Sequence, residues 1–274
     1  MSGTIEDGPA AQAEQTGQVT QAGSGAARPT LSVRTPGGAT VTAAVLLLHG
    51  GQVESTEPVR PWSLPLARMR MFISPLQNRS GTSAVAVALL RDRHRGWNGA
   101  AADAAVDALW ALDRLAERFG PVPVVVVGHS MGGRAALRAA GHSSVTGVAA
   151  LAPWVPDGEP VDQLAGRTVL IAHGDLDRQV DPAESLAYAK RAKEAGVRIC
   201  RLRLEGSGHM LLSRLADWNL LATEFALGMV GVKPLPTPVA LALAGRQEPG
   251  ETDDADALAG LDEPLSRDWR RRWH

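Results

Sequence analysis

The sequence predicts an α/β protein: a doubly wound, mostly parallel sheet flanked by helices. Three observations carry this expectation. Between residues 40 and 230, short aliphatic and β-branched runs alternate with helix-length stretches, the order that lays helices over both faces of one sheet. Some runs are continuous, AAVLLL at 43–48 and VVVV at 124–127 among them, as strands buried on both faces require. The conspicuous polar clusters, at His49, Ser130, Asp175 with Asp177, and His209, each follow such a run, where open parallel sheets bind ligands.

Taken in order, residues 1–29 are rich in Gly, Ala, Gln and Ser and read as a disordered tail, with neither the basic start nor the apolar core of a secretory signal. Residues 31–34 alternate, 36–38 turn and 40–42 resume, which suggests an edge hairpin. A buried strand at 43–48 ends in His49-Gly50-Gly51-Gln52. Residues 62–76 read as a helix weakened by Pro65 and stopped at Pro75. Strand 83–90 is followed by a helix over 97–119, with Val106, Leu109, Leu112, Leu115 and Phe119 at helical spacing and Gly120-Pro121 as its stop. Strand and helix at 122–140 precede strands at 145–155 and 168–172. Asp181-Pro182-Ala183-Glu184 opens the next helix, with an Asp cap, Pro at the first position and Glu at capping-box spacing. The last expected strand is 197–204, and a helix from Met210 carries Leu211, Leu215, Trp218, Ala222 and Phe225 on one face. Residues 233–274 turn Pro-, Gly- and acid-rich and read as a second disordered tail, which leaves one domain at 30–232.

Composition narrows the function. A hydrophobic fraction of 45% in 274 residues is ample for a core, and a net charge of −1 gives no field that would favour nucleic acid or an anionic membrane. No window holds eighteen consecutive apolar residues, so no membrane span is expected. The lone Cys200 reads as a buried apolar group. No Cys/His/carboxylate spacing suggests zinc, no cofactor is implied, and a cytoplasmic protein acting on a small molecule is the expectation. The short basic end at 270–272 does not suggest nucleic acid, and the oligomeric state is open.

Chemistry concentrates in Gly128-His129-Ser130-Met131-Gly132, set between the valine strand and a helix of small residues. Strand, G-x-S-x-G and helix make a nucleophile elbow: the turn is tight enough to strain Ser130, and its glycines leave room for that turn. The spacing fits neither a dinucleotide fingerprint nor a P-loop. A serine needs a base, and the base needs a third group to fix its tautomer. Of the seven histidines, His209 lies on a glycine loop after the last expected strand and best suits the base. His129 is expected to point sideways from the elbow, His49 and His173 to serve as structural hydrogen-bonders, and His94, His142 and His274 to lie away from the site. Asp181 is accounted for as a cap, which leaves Asp175 and Asp177 as candidate acids that alternation alone does not separate.

From about 40 to 230 the chain resembles an α/β-hydrolase in its small form without a cap. The matching pieces are His49-Gly50-Gly51, the Ser130 elbow, Gly174-x-x-Asp177 and Gly208-His209, in the order Ser, Asp, His. The resemblance implies Asp177 as the acid, Asp175 as a loop carboxylate, and an oxyanion hole from the backbone N–H of Met131 and of Gly51 or Gln52. The segment 156–166 is too short for a cap, so the roof over the site is expected from 52–78, with Trp62, Leu64, Met69, Met71 and Phe72, and from Trp154. The arginines between 60 and 95, Arg68 among them, read chiefly as solvated surface, with steering of an anionic substrate as the lesser reading. The implied activity is a metal-free serine hydrolase of carboxylic esters, with thioesters and amides as further candidates. The alternatives are a silent scaffold used for binding, and an acyltransferase or perhydrolase with the same triad.

Overall fold

The computed structural model describes residues 15–20, 27–245 and 261–269. Its strands are β1 (Gln15–Thr20), β2 (Thr30–Thr35), β3 (Ala43–Leu48), β4 (Val85–Arg91), β5 (Val124–His129), β6 (Val145–Leu151), β7 (Thr168–Gly174), β8 (Arg198–Leu204) and β9 (Glu263–Leu265). Among the described residues they form one sheet in the order β1-β2-β4-β3-β5-β6-β7-β8-β9. The β1–β2 and β2–β4 pairs are antiparallel, and every pairing from β4 through β9 is parallel. The helices are α1 (Leu64–Arg70), α2 (Ile73–Ser80), α3 (Asp103–Phe119), α4 (Met131–Arg138), α5 (Pro182–Glu194), α6 (Leu215–Met229) and α7 (Thr237–Leu243).

Successive side chains of a strand point to opposite faces, and β5 shows what that does here. Val124 and Val126 pack with α3, α4 and α5, whereas Val125 and Val127 pack with α1, α2, α6 and α7. Each fully buried Val or Leu stabilises the fold by roughly 1.5–3 kcal/mol, so the four-valine run anchors both layers at once. The doubly wound sheet expected from the alternation is the architecture observed.

Several local expectations are corrected. The hairpin of 31–34 with 40–42 does not form: β2 pairs with β1 and β4, and residues 40–42 carry no strand. The helix expected over 62–76 is two short helices that break at 71–72. In α3, Val106 and Leu109 are exposed, while Ala104, Ala105, Ala108, Ala111, Leu112 and Leu115 face the core. Small alanines let the helix lie close to its neighbours; of the expected stripe Leu112 and Leu115 are buried and Phe119 packs on the core, so the spacing was right in part.

The tails differ most. β1 falls within the segment expected to be disordered and pairs with β2 along its length. At the other end α7 buries Val239 and Ala242, and β9 covers the open edge of β8 while Leu265 and Trp269 enter the core. An edge strand left bare would expose unpaired backbone, which β9 removes for part of β8. Residues 1–14, 21–26, 246–260 and 270–274, the basic end included, lie outside the described residues.

Candidate active site

Ser130 joins β5 to α4 with φ 55° and ψ −117°, a region that non-glycine residues avoid at a cost of roughly 1–3 kcal/mol. The surroundings hold it there. Its N–H donates to Leu151 O at 3.0 Å, and its carbonyl accepts from Arg134 N–H at 3.1 Å and Trp154 N–H at 3.2 Å. The flanking glycines are required by contact: a Cβ on Gly128 would lie 2.1 Å from Gly132 O, and one on Gly132 would lie 2.5 Å from both Leu48 O and His49 O.

The loops after β7 and β8 bring a carboxylate and an imidazole to this serine. His209 Nε2 lies 3.0 Å from Ser130 Oγ, and His209 Nδ1 lies 2.7 Å from Asp177 Oδ2. Asp177 also accepts from His173 Nε2 at 3.1 Å and, on Oδ1, from the N–H groups of Gln179 at 2.9 Å and Val180 at 3.0 Å. Burial alone would raise this carboxyl, but the bonds from His173, His209, Val180 and Gln179 outweigh it and hold its pKa well below the carboxylate range. An ionised Asp177 requires hydrogen on His209 Nδ1, which leaves Nε2 to accept from the serine hydroxyl. Asp175 lies elsewhere, its Oδ1 accepting from Gly206 N–H at 2.7 Å and Ser207 N–H at 3.3 Å, so it braces the loop that leads to His209. His129 Nε2 donates to His209 O at 2.9 Å, and burial lowers the His129 pKa to about 3, keeping it neutral.

Behind Asp177 runs a further chain of hydrogen bonds that sequence reasoning did not find. His173 Nδ1 lies 2.8 Å from Ser185 Oγ, and Arg201 Nε donates to the same oxygen at 3.0 Å. Ser185 Oγ also lies 3.0 Å from Pro182 O, so its one hydrogen is shared between that carbonyl and His173 Nδ1 while the oxygen accepts from Arg201. Arg201, 1% exposed, pairs with Asp262 next to β9, and Asp262 also accepts from Arg203 at 3.0 Å. A second arginine bridges the same elements: Arg214 donates to Glu205 O at 3.0 Å, Leu265 O at 2.6 Å and Ser266 O at 2.7 Å. The loops carrying Asp177 and His209 are therefore both tied to the C-terminal strand.

Across the elbow, Met131 opens α4, so its N–H has no acceptor within the helix, and its side chain packs against Gly51. A Cβ on Gly51 would meet Arg95 O and Met131 Cε, each at 2.4 Å. Gln52 is corrected as an oxyanion donor, because its N–H donates to Arg95 O at 2.8 Å. His49 Nδ1 donates to Gly50 O at 2.8 Å and its Nε2 accepts from Asp92 N–H at 3.2 Å; burial lowers its pKa to about 4.

The expected roof is corrected in part. Met69 and Phe72 are buried core residues, Met71 is half-buried at the end of α1, and Trp62 and Leu64 are exposed. Trp154 is tied to the elbow through its N–H, but its ring packs on Trp97 at 6.4 Å with the Arg134 guanidinium 4.5 Å away, and Glu159 holds Arg134 in place. Leu176, Met210 and Leu212, beside Asp177 and His209 in sequence, are exposed instead and were not anticipated. Arg68 is not solvated surface but 8% exposed. Among the described residues, no group of three or more His, Cys, Asp or Glu side chains is placed to hold a metal, and no helix is long and apolar enough to cross a membrane.

No protein-family model and no curated protein matches the sequence. Solved structures do. A serine hydrolase without a lid from Xanthomonas campestris is 17% identical, covering 78% of this chain and 94% of its own at a TM-score of 0.55. An esterase from Pyrobaculum calidifontis is 18% identical over 79% and 84% of the two chains, at 0.57. An α/β hydrolase from a Medee basin deep-sea metagenome library is 14% identical over 80% and 99%, at 0.62. At these identities the likeness is one of fold, and β6 passes to β7 through residues 152–167 with no inserted domain. The chain has the α/β-hydrolase fold in the form that lacks a cap.

Proposed function

We propose that this protein is a serine hydrolase of small carboxylic esters, with Ser130 as nucleophile, His209 as base and Asp177 as the group that orients it. The observation that carries the reading is the continuous pair of hydrogen bonds, 3.0 Å from Ser130 Oγ to His209 Nε2 and 2.7 Å from His209 Nδ1 to Asp177 Oδ2. His209 takes the Ser130 proton as Oγ bonds to the ester carbonyl carbon. The carbonyl oxygen, now an alkoxide, faces the Met131 and Gly51 N–H groups. Collapse breaks the bond to the alcohol oxygen, which leaves with the proton from His209, and Oγ retains the acyl group. Water, deprotonated by His209, then releases the acid and restores Ser130. The low pKa of Asp177 keeps its charge beside the imidazolium formed in both halves.

Labelling with a fluorophosphonate probe, followed by a chain-length series of p-nitrophenyl esters, tests the reading. The wild type is expected to label at Ser130. The Ser130→Ala protein is expected to stay folded and lose turnover by on the order of 10⁶. Normal turnover in that variant would end the proposal.

A further inference from the structure

Strand β2 is apolar on one face only. Leu31 and Val33 lie opposite Leu90 and Ala88 of β4 and are buried in the layer that holds α3. Thr30, Ser32 and Arg34 alternate with them and face the side of the sheet that α1 and α2 cover. Elsewhere on that side the central strands present aliphatic residues to the helices, Val45, Leu47, Val87 and Leu89 among them. Where the polar face of β2 replaces them, the layers do not close into core. A cavity of about 350 Å³ lies there, between β2, β4, α1 and α2.

The lining of this cavity divides by chemistry. Leu66, Ile73 and Leu89, all buried, give it an apolar floor. Around them stand the guanidinium groups of Arg34, Arg70 and Arg91 and the hydroxyls of Thr30, Ser32 and Ser74, and no carboxylate lines it among the described residues. Arg91 is held in place: it donates to Val59 O at 3.1 Å and to Thr30 Oγ1 at 2.8 Å. A guanidinium has five N–H donors, so these two bonds leave others for a ligand, and Thr30 keeps its own hydrogen to give. Arg70 lies one turn after Leu66, on the same face of α1. None of the residues assigned to the Ser130 site lines this cavity, so it is a second site.

We propose that the cavity binds a phosphate monoester of a small organic molecule. The phosphate sits between Arg70 and Arg91, with hydroxyls donating to its remaining oxygens, and the organic part rests on Leu66, Ile73 and Leu89. A phosphate monoester carries close to two negative charges and three strong acceptor oxygens, which two forked cations and neighbouring hydroxyls satisfy together; one carboxylate would leave a cation unmatched. A volume of about 350 Å³ is at the small end for ligand cavities, which limits the organic part to a single ring or short chain. No bond is made or broken there, and the inference stands apart from the reading of Ser130 as nucleophile.

Titration calorimetry with phenyl phosphate, inorganic phosphate and benzoate tests it. Phenyl phosphate is expected to bind wild type most tightly. Inorganic phosphate should bind about tenfold more weakly for want of the ring contact, and benzoate about tenfold more weakly for want of the second charge. Arg70→Met, at an exposed position, should weaken phenyl phosphate about tenfold, Arg70→Lys should restore part of the loss, and added salt should weaken binding throughout. Ser32→Leu fills the cavity from β2 and should abolish binding while p-nitrophenyl ester turnover is kept. Ser130→Ala should bind phenyl phosphate as wild type does; loss of binding there would put the ligand at the elbow and overturn the proposal. Wild type that gives no heat with millimolar phenyl phosphate overturns it as well, as does binding that Arg70→Met and Ser32→Leu both leave unchanged. Benzoate bound as tightly as phenyl phosphate would overturn the phosphate assignment.

Discussion

His173 Nε2 lies 3.1 Å from Asp177 Oδ2, the oxygen that also accepts from His209. A carboxylate gripped by two imidazoles and two backbone N–H groups has little freedom to rotate, so His209 meets it in one orientation. Ser185→Ala removes the hydroxyl that lies 2.8 Å from His173 Nδ1 and leaves Ser130, His209 and Asp177 unsubstituted. Its kcat is expected to drop about tenfold with KM little changed, the scale of one hydrogen bond. Equal fall in kcat and rise in KM, or no change in either, would show that His173 only fills space.

Asp177→Asn is expected to lower turnover by roughly 10⁴, because an amide in that place favours the wrong imidazole tautomer. Asp175→Asn should cost about 1 kcal/mol of stability, since its carboxylate bonds the 206–207 backbone, with turnover largely kept. Steady-state kinetics and thermal melting of the two variants separate the roles, and a dead Asp175→Asn enzyme would exchange them.

Removing residues 261–274 takes away Asp262 and the carbonyls of Leu265 and Ser266 that hold Arg201 and Arg214. Asp262→Asn isolates one part of this. Breaking a buried ion pair costs about 3–5 kcal/mol, and with Asp262 30% exposed the expected loss is nearer 2 kcal/mol. In a domain of this size that lowers the melting temperature by several degrees. A truncated chain that melts with the full-length protein would remove β9 from the account.

Stability should also fall in mild acid. Burial depresses His49 and His129 to about 4 and about 3 from 6.5, and His173 in the same direction. Above pH 6.5 folded and unfolded chains are both neutral at these groups. Below it the unfolded chain binds protons that the folded one refuses, so each such histidine costs about 1.4 kcal/mol per pH unit until its folded pKa is reached. Asp92 works the other way: burial and the charge of Asp107 push its carboxyl well above 3.8, so its contribution is full below 3.8 and fades as pH rises. His49 and His129 together outweigh Asp92 between pH 6.5 and 4, and His173 adds to them. Calorimetry at pH 7 and pH 4.5 should show the lower melting temperature at 4.5, and equal values would mean that these imidazoles charge in place.

What was legible in the sequence was whatever rests on local pattern. The four-valine strand, the glycines around Ser130 and the Asp181-Pro182 helix start depend on near neighbours, and the structure has each in its expected place. Asp177 and His209, 32 residues apart, were reachable because a family resemblance supplied their order, and they lie in hydrogen-bond contact. Where contacts are long-range and polar, pattern was silent. Nothing near Arg201 marks Asp262, 61 residues on, as its partner. Nothing near Arg68 marks it as buried, because a short helix with Pro65 and mixed charge reads as surface. The alanine face of α3 was missed for a related reason: periodicity weighs large side chains, and close packing selects small ones.

The position of β9 has a consequence for how the protein is made. Synthesis runs from the N-terminus and domains fold as they emerge. Ser130, Asp177 and His209 are all made before residues 261–269, and until those arrive Arg201 lacks Asp262. The nascent chain thus carries Ser130, Asp177 and His209 before it carries the strand whose residues hold Arg201 and Arg214. A chain released before residue 261 would hold these three residues and lack the strand tied to their loops.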